Sequence, residues 1–146
     1  MRFTAVLAGL GLAICAGAAS AADPAPVQTS PADQAPPAVQ APLISQSDLL
    51  RRLANQEADL VVLDVRTAAE FAAGHVPGAL NLSHDELPSR LAELSSLKEK
   101  NVVLYCRSGR RSAIAAQTLR AAGFTKLLHL EGDFIAWEAA KQPLQR

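Results

Sequence analysis

Short, continuous apolar runs recur along the chain after residue 42. They cover residues 60–65, 79–82, 102–105 and 126–130, with a shorter first run at 43–45. Runs that are apolar throughout, rather than alternating with polar residues, are typical of strands covered on both faces. Because helical patterns separate them, we predict an α/β fold with a central, mainly parallel sheet of about five strands flanked by helices.

Helical patterns with recognisable ends fill the intervals between these runs. Ser47 is a candidate N-cap for a helix over 48–55, and Thr67 for a helix over 68–73. Gly123 marks the end of one of the later helices. The later predicted helices span 87–97, 112–122 and 133–140. Ligands of such sheets bind beyond the carboxyl ends of the strands, so we expect a site at that edge.

The N-terminal stretch, residues 1–21, is typical of a secretory signal peptide. Arg2 gives a positive start, an uninterrupted run of small and apolar residues follows, and residues 19–21 (Ala-Ser-Ala) fit a cleavage site. A retained membrane anchor and a lipoprotein signal ending at Cys15 are the alternatives. From the positive start, the apolar run and the cleavage site, we predict export to a periplasm, with no membrane attachment after cleavage.

Residues 22–42 have the composition of a tether. They contain six of the nine prolines, mixed with Ala, Gln, Ser and Thr, and almost nothing large and apolar to bury. Such a segment is expected to be disordered and to act as a spacer. The folded domain is then predicted to span 43–146.

Composition narrows the possible functions of that domain. The 146 residues carry 14 Lys+Arg against 14 Asp+Glu, whereas a nucleic-acid binder would normally have a basic excess. The two cysteines and three histidines show no zinc-ligand spacing, and we expect neither a metal nor another cofactor. Removal of the signal would take Cys15 with it and leave Cys106 as the only thiol.

Cys106 lies at the carboxyl end of a predicted strand, where ligands of such sheets bind. It directly follows the apolar run at 102–105, and Arg107-Ser108-Gly109-Arg110-Arg111-Ser112 leads into the next predicted helix. A tight loop entering a helix turns backbone N–H groups and the positive end of the helix dipole inward. Together with three nearby arginines, these groups favour the thiolate form of Cys106 and attract an anionic substrate.

Four segments in this order resemble the rhodanese-type sulfurtransferases, specifically their small single-domain form. The segments are Asp64-Val65-Arg66 followed by Glu70-Phe71, the stretch 74–81 (GHVPGALN), the loop 105–112 (YCRSGRRS), and Leu130-Glu131-Gly132 with Trp137. Asp133 departs from the pattern, since the family often has a second glycine there. Aspartate tolerates unusual backbone angles, so we expect only a local adjustment at Asp133.

The resemblance implies a two-step sulfur transfer through a Cys106 persulfide. A small sulfur donor such as thiosulfate would load Cys106, and cyanide, a thiol or an acceptor protein would take the sulfur away. The residues implied to bind the donor are Arg107, Ser108, Gly109, Arg110 and Arg111. Among the arginines, we rank Arg111 and Arg107 ahead of Arg110 as the ones that point inward.

Two alternatives differ in class from a sulfurtransferase. A phosphatase loop would place an arginine six residues after the cysteine, but Ser112 stands there and Arg111 comes one position early. A non-catalytic module that binds an anion or a partner, with Cys106 purely structural, is the other alternative.

Several other polar and aromatic residues have structural interpretations. The spacing of Arg66 and Glu70 predicts an ion pair along a helix. His75 is expected to stabilise a turn, and Trp137 to pack in the core. His84 is placed at the start of a helix and His129 within a strand, and neither is given a functional role.

Overall fold

All five predicted strands form, and they lie in a single parallel sheet. The computed structural model describes residues 41–146. In chain order the strands are β1 (Leu43–Ile44), β2 (Leu60–Asp64), β3 (Leu80–Asn81), β4 (Asn101–Tyr105) and β5 (Leu127–Leu130). Their order in the sheet is β1-β5-β4-β2-β3, and every neighbouring pair is parallel. The predicted fold class is confirmed.

The helices on the two faces follow the predicted pattern, with corrected ends. They are α1 (Gln46–Ala54), α2 (Ala68–Ala73), α3 (Leu87–Arg90), α4 (Arg110–Ala121) and α5 (Asp133–Ala139). The predicted cap of α1 at Ser47 was wrong. Ser45 caps the helix instead, because its backbone is extended and its hydroxyl accepts the N–H of Asp48 at 3.1 Å. Thr67 caps α2 as predicted, in a reciprocal pair with Glu70.

Two other helix predictions needed revision. The helix expected over 87–97 is α3 followed by a 3₁₀ helix, Leu91–Leu97. The helix expected from Ser112 begins earlier, at Arg110, because Gly109 ends the preceding loop in a left-handed conformation with φ +95°. The start of α4 is thereby brought up against the end of β4.

The core consists of two apolar layers, one on each face of the sheet. Side chains alternate along β4, so Leu104 and Cys106 lie in the layer beneath α4. Val103 and Tyr105 lie in the opposite layer, with α1 and α5. Because side chains alternate between the two faces along a strand, the side chain of Cys106 points to the face that α4 covers.

The predicted signal, residues 1–21, lies outside the described residues, as does nearly all of the predicted tether, so both stay predictions. Ala41 is buried, and the carbonyl of Pro42 accepts the N–H of His129 at 2.8 Å. Within 41–146, no helix has the length and apolar character needed to cross a membrane. The same stretch holds no cluster of three or more metal-ligating side chains.

Candidate active site

Cys106 lies at the carboxyl edge of the sheet, one residue beyond β4. It is 1% exposed and lies at one end of the core layer under α4. Its backbone is held from two sides, because its N–H donates to Asp133 Oδ1 at 2.8 Å and its carbonyl accepts the N–H of Phe134 at 3.0 Å. The start of α5 therefore fixes the position of the cysteine.

The loop from Cys106 to α4 folds around the sulfur. The Gly109 N–H donates to Cys106 Sγ at 3.1 Å, and the Ser112 hydroxyl lies 3.7 Å from the same sulfur. A side chain at Gly109 would be strained by the positive φ, and its Cβ would lie 3.1 Å from Asp133 Oδ2. The N-terminus of α4, with its free N–H groups and positive dipole end, thus faces Sγ and stabilises negative charge there.

An open cleft of about 430 Å³ gives access to the sulfur. Its lining residues are His84, Cys106, Ser108, Arg110, Arg111 and Ile114. No carboxylate lines it, so its field favours an anionic ligand. Cys106, Ser108, Arg110 and Arg111 are therefore brought together as the sequence predicted.

Arg107 is placed differently from our prediction. Its side chain lines a separate depression beside Arg66, Glu138 and Arg146, and does not line the Cys106 cleft. The reason is the turn of the loop, which sends successive side chains to different sides while the carbonyl of Arg107 accepts the N–H of Ile135 at 3.2 Å. Arg110 and Arg111 line the Cys106 cleft, whereas Arg107, which we ranked ahead of Arg110, lines the other depression.

Arg111 is held in place by Glu70. Two hydrogen bonds, of 2.7 and 2.8 Å, join the guanidinium to the two carboxylate oxygens. The same pairing raises the pKa of Arg111 above its already high ordinary value, with the nearby Cys106 adding to the shift. The predicted ion pair between Arg66 and Glu70 was wrong, because Arg66 pairs with Asp64, two residues before it, and Glu70 pairs with Arg111 on α4.

The Glu70 pair predicts an acid-sensitive contribution to stability. Hydrogen bonding to Arg111 lowers the pKa of Glu70 from 4.5 to about 2. Because the folded-state pKa is the lower one, the contribution is complete above about pH 4.5 and is lost as the pH falls toward 2. The pair is partly exposed, so we expect Glu70→Gln to cost on the order of 1 kcal/mol at pH 7.

Urea unfolding of the wild type and Glu70→Gln at several pH values measures this contribution. The difference between their unfolding free energies should shrink between pH 4.5 and 2. A difference that stays constant through that window would show that ionised Glu70 does not stabilise the fold.

Arg66 pairs with Asp64 beneath the site. The Arg66 guanidinium donates to both Asp64 oxygens at 2.6 to 3.0 Å and to the carbonyl of Gly74 at 2.8 Å. It also stacks 3.7 Å from the centre of the Phe134 ring. Burial alone would lower the pKa of Arg66, but the hydrogen bonds and charge of Asp64 raise it above its ordinary value. Through the Phe134 ring, Arg66 thus contacts the start of α5, and residues there also hydrogen-bond the Cys106 backbone.

A second polar group lies behind the loop and was missed in the sequence. Asp133 Oδ2 is 2.9 Å from His129 Nε2, and Ser112 Oγ is 3.1 Å from the same nitrogen. Ser112 Oγ also lies 3.3 Å from Asp133 Oδ1. Both partners meet His129 at one ring nitrogen, so the imidazole cannot relay a proton from Ser112 toward the aspartate as in a serine hydrolase.

Asp133 combines the expected backbone adjustment with a long-range contact of its side chain. Its backbone adopts φ +52°, which aspartate tolerates, but its side chain reaches a cysteine 27 residues away in sequence. Only the departure from the double glycine pointed to this residue, and it gave no direction for the side chain.

His84 was also missed, because helix-start patterns give no sign of a nearby cleft. The N–H of His84 donates to the carbonyl of Val65 at 3.1 Å, which brings its ring to the cleft wall. Its Nδ1 is buried and has no hydrogen-bond partner among the described residues.

The structural interpretations of His75 and Trp137 are confirmed. His75 Nδ1 bonds the carbonyl of Phe71 at 2.9 Å, and the two rings stack 3.6 Å apart. Trp137 is completely buried in the layer with Tyr105 and Phe134. Neither His75 nor Trp137 lines the Cys106 cleft.

Several known proteins are similar to this chain in sequence or in fold. A sulfurtransferase from Allochromatium vinosum is 41% identical over 101 residues, which are 69% of this chain and 92% of that protein. The human thiosulfate:glutathione sulfurtransferase is 35% identical over 108 residues, covering 66% of this chain and 92% of its own length. Other curated relatives are longer, and this chain spans 51% of one and 59% of another.

Among solved structures, the rhodanese-like domain of the Anabaena sp. Alr3790 protein superposes with a TM-score of 0.63 at 28% identity. The match covers 73% of this chain and 80% of that one. The family model for the rhodanese-like domain matches residues 45–140, which include every element of the site described above. With its parallel sheet and its cysteine loop at the carboxyl edge, the chain belongs to the rhodanese-like sulfurtransferase family.

Proposed function

We propose that the protein is a thiosulfate sulfurtransferase that carries sulfur as a persulfide on Cys106. The observation that carries this proposal is the buried sulfur of Cys106, bound by a loop N–H, in a cleft that two arginines also line. Such a site supplies a nucleophile, donors for negative sulfur and cations for a dianionic donor.

The first step loads the enzyme. The Cys106 thiolate attacks the outer sulfur of thiosulfate, and the new S–S bond forms as the sulfur–sulfur bond of thiosulfate breaks. The electron pair of the broken bond leaves with sulfite. The charge then lies on the outer persulfide sulfur, and the positive end of the α4 dipole and the cleft arginines Arg110 and Arg111 favour negative charge there.

The second step returns the thiolate. An acceptor such as cyanide, or the thiolate of a small molecule or protein, attacks the outer sulfur. The persulfide bond breaks, its electron pair returns to Cys106, and thiocyanate or the acceptor persulfide departs. The thiol acceptor is supported by the human relative, whose name gives glutathione as its acceptor.

We further propose that the chain acts in a periplasm, which is supported by the signal-like sequence of residues 1–21.

Phosphate-ester chemistry fits the geometry less well. The sixth position after Cys106 is Ser112, which is 1% exposed and bonded to the Gly109 carbonyl at 2.9 Å. It therefore offers no cation to a phosphoryl group at the position where a phosphatase loop has its arginine.

The two arginines that we ranked together in the sequence give a direct test of donor binding. Arg111→Gln should raise the KM for thiosulfate about tenfold, because a charge-assisted contact to a dianion is lost. Arg107→Gln is the matched control, since Arg107 lines a separate depression, and should leave KM within about twofold. Equal effects of both substitutions on KM would contradict the assignment of Arg111.

Two reactions test the proposed activity. The first is thiocyanate formation from thiosulfate and cyanide, and the second is sulfite release from thiosulfate and glutathione. The reduced wild-type chain should perform at least the first reaction. A folded, reduced chain that transfers sulfur in neither assay would contradict the proposed activity and favour the anion-binding module.

A further inference from the structure

We propose that Asp133 is a positioning residue for the reaction at Cys106, acting as a side-chain anchor of the sulfur loop. The proposal rests on the sulfurtransferase function proposed above. Asp133 belongs to the first turn of α5, is 5% exposed, and points its carboxylate away from solvent toward the loop. It does not line the cleft.

The carboxylate of Asp133 ties three elements together. Oδ1 accepts the Cys106 N–H at 2.8 Å, at the end of β4, and lies 3.3 Å from Ser112 Oγ in the first turn of α4. Oδ2 lies 2.9 Å from His129 Nε2 on β5. Polar contacts to three different elements therefore restrain the position of this carboxylate.

The anchor determines where the sulfur lies relative to its donors. The next residue, Phe134, donates its N–H to the Cys106 carbonyl. The start of α5 therefore holds both the backbone N–H and the backbone carbonyl of Cys106. Gly109, whose N–H bonds the sulfur, packs directly against Asp133, since a Cβ there would lie 3.1 Å from Oδ2. Loss of the carboxylate would therefore loosen Sγ and its N–H donor together.

The backbone of Asp133 makes a clean substitution possible. Its φ of +52° is a conformation that glycine adopts without strain, so Asp133→Gly removes the carboxylate while easing the backbone. Asp133→Asn keeps an oxygen for the Cys106 N–H and an amide that can donate to His129, and asparagine also tolerates this φ. Lys141 has the same φ of +52° at an exposed site, so Lys141→Gly is the matched control for backbone relief.

The experiment measures kcat and KM for thiosulfate with the full chain and these three variants. Asp133→Gly should lower kcat about tenfold or more, because the nucleophile is no longer held in place, and leave KM within about twofold. Asp133→Asn should keep kcat within about threefold of the wild type. Lys141→Gly should match the wild type. An unchanged kcat in folded Asp133→Gly, or a tenfold loss in Asp133→Asn or Lys141→Gly, would overturn the proposal.

Amide hydrogen exchange of the peptide that contains Cys106 provides a readout independent of turnover. Exchange should be faster in Asp133→Gly and unchanged in Asp133→Asn. If the wild type transferred no sulfur, the proposed function would fail while exchange still tested the anchor. If Asp133→Gly did not fold, Asp133→Asn would decide: retained exchange protection with a tenfold loss of kcat would overturn the proposal.

Discussion

Replacing Cys106 with serine should abolish sulfur transfer and leave the fold intact. A serine hydroxyl is not ionised at neutral pH and cannot carry a sulfane sulfur, so we expect a loss of at least about a thousandfold in kcat. The fold should survive because the hydrogen bonds of the Cys106 N–H to Asp133 and of its carbonyl to the Phe134 N–H do not involve its sulfur. Thiocyanate formation and circular dichroism measure the two effects.

Cys15→Ser is the matched control for this substitution. Cys15 lies in the predicted signal, and its replacement should leave thiocyanate formation unchanged. Activity retained in folded Cys106→Ser would contradict the persulfide mechanism. Loss of the fold in that variant would instead favour a purely structural cysteine.

Replacing Arg66 with methionine should give a large loss of stability. The Asp64 carboxylate is completely buried, and Arg66 is its ion-pair partner within the described residues. Removal of one member of a buried pair leaves an uncompensated charge, so we expect a loss of about 3 kcal/mol or more in the free energy of unfolding. Urea denaturation of Arg66→Met against the wild type measures it.

Arg90 provides the matched control for Arg66. It also pairs with carboxylates, those of Glu86 and Glu93, but its side chain is 44% exposed. Arg90→Met should therefore move the urea midpoint little, since water can replace its partners. Equal midpoint shifts for the two arginines would contradict the account of a buried, structurally required pair at Arg66.

The strands and the position of Cys106 could be predicted because local patterns determine them. A short apolar run rich in β-branched and aromatic residues, such as 102–105, is typical of a buried strand, and its end places the following loop at the ligand edge of the sheet. Helix ends were harder to predict. Both Ser45 and Ser47 can cap, and only the course of the chain after β1 decides for Ser45.

The partners of charged residues could not be predicted, because the three-dimensional course of the chain selects them and their spacing in sequence does not. Arg66 and Glu70 have a spacing that suits a helix pair, yet Arg66 lies before α2 and turns back to Asp64, while Glu70 reaches Arg111. The group of Ser112, His129 and Asp133 likewise forms only when β4, α4, β5 and α5 come together. Tertiary packing, which no local spacing encodes, therefore determines the polar surroundings of Cys106.

The central claim is that Cys106 carries the transferred sulfur, and the mass of the chain tests it most directly. The reduced wild-type chain, incubated with thiosulfate alone and freed of excess donor, should gain the mass of one sulfur atom on the peptide that contains Cys106. Addition of cyanide should remove that mass and release an equal amount of thiocyanate. An unmodified Cys106 in a chain that nevertheless produces thiocyanate would contradict the account.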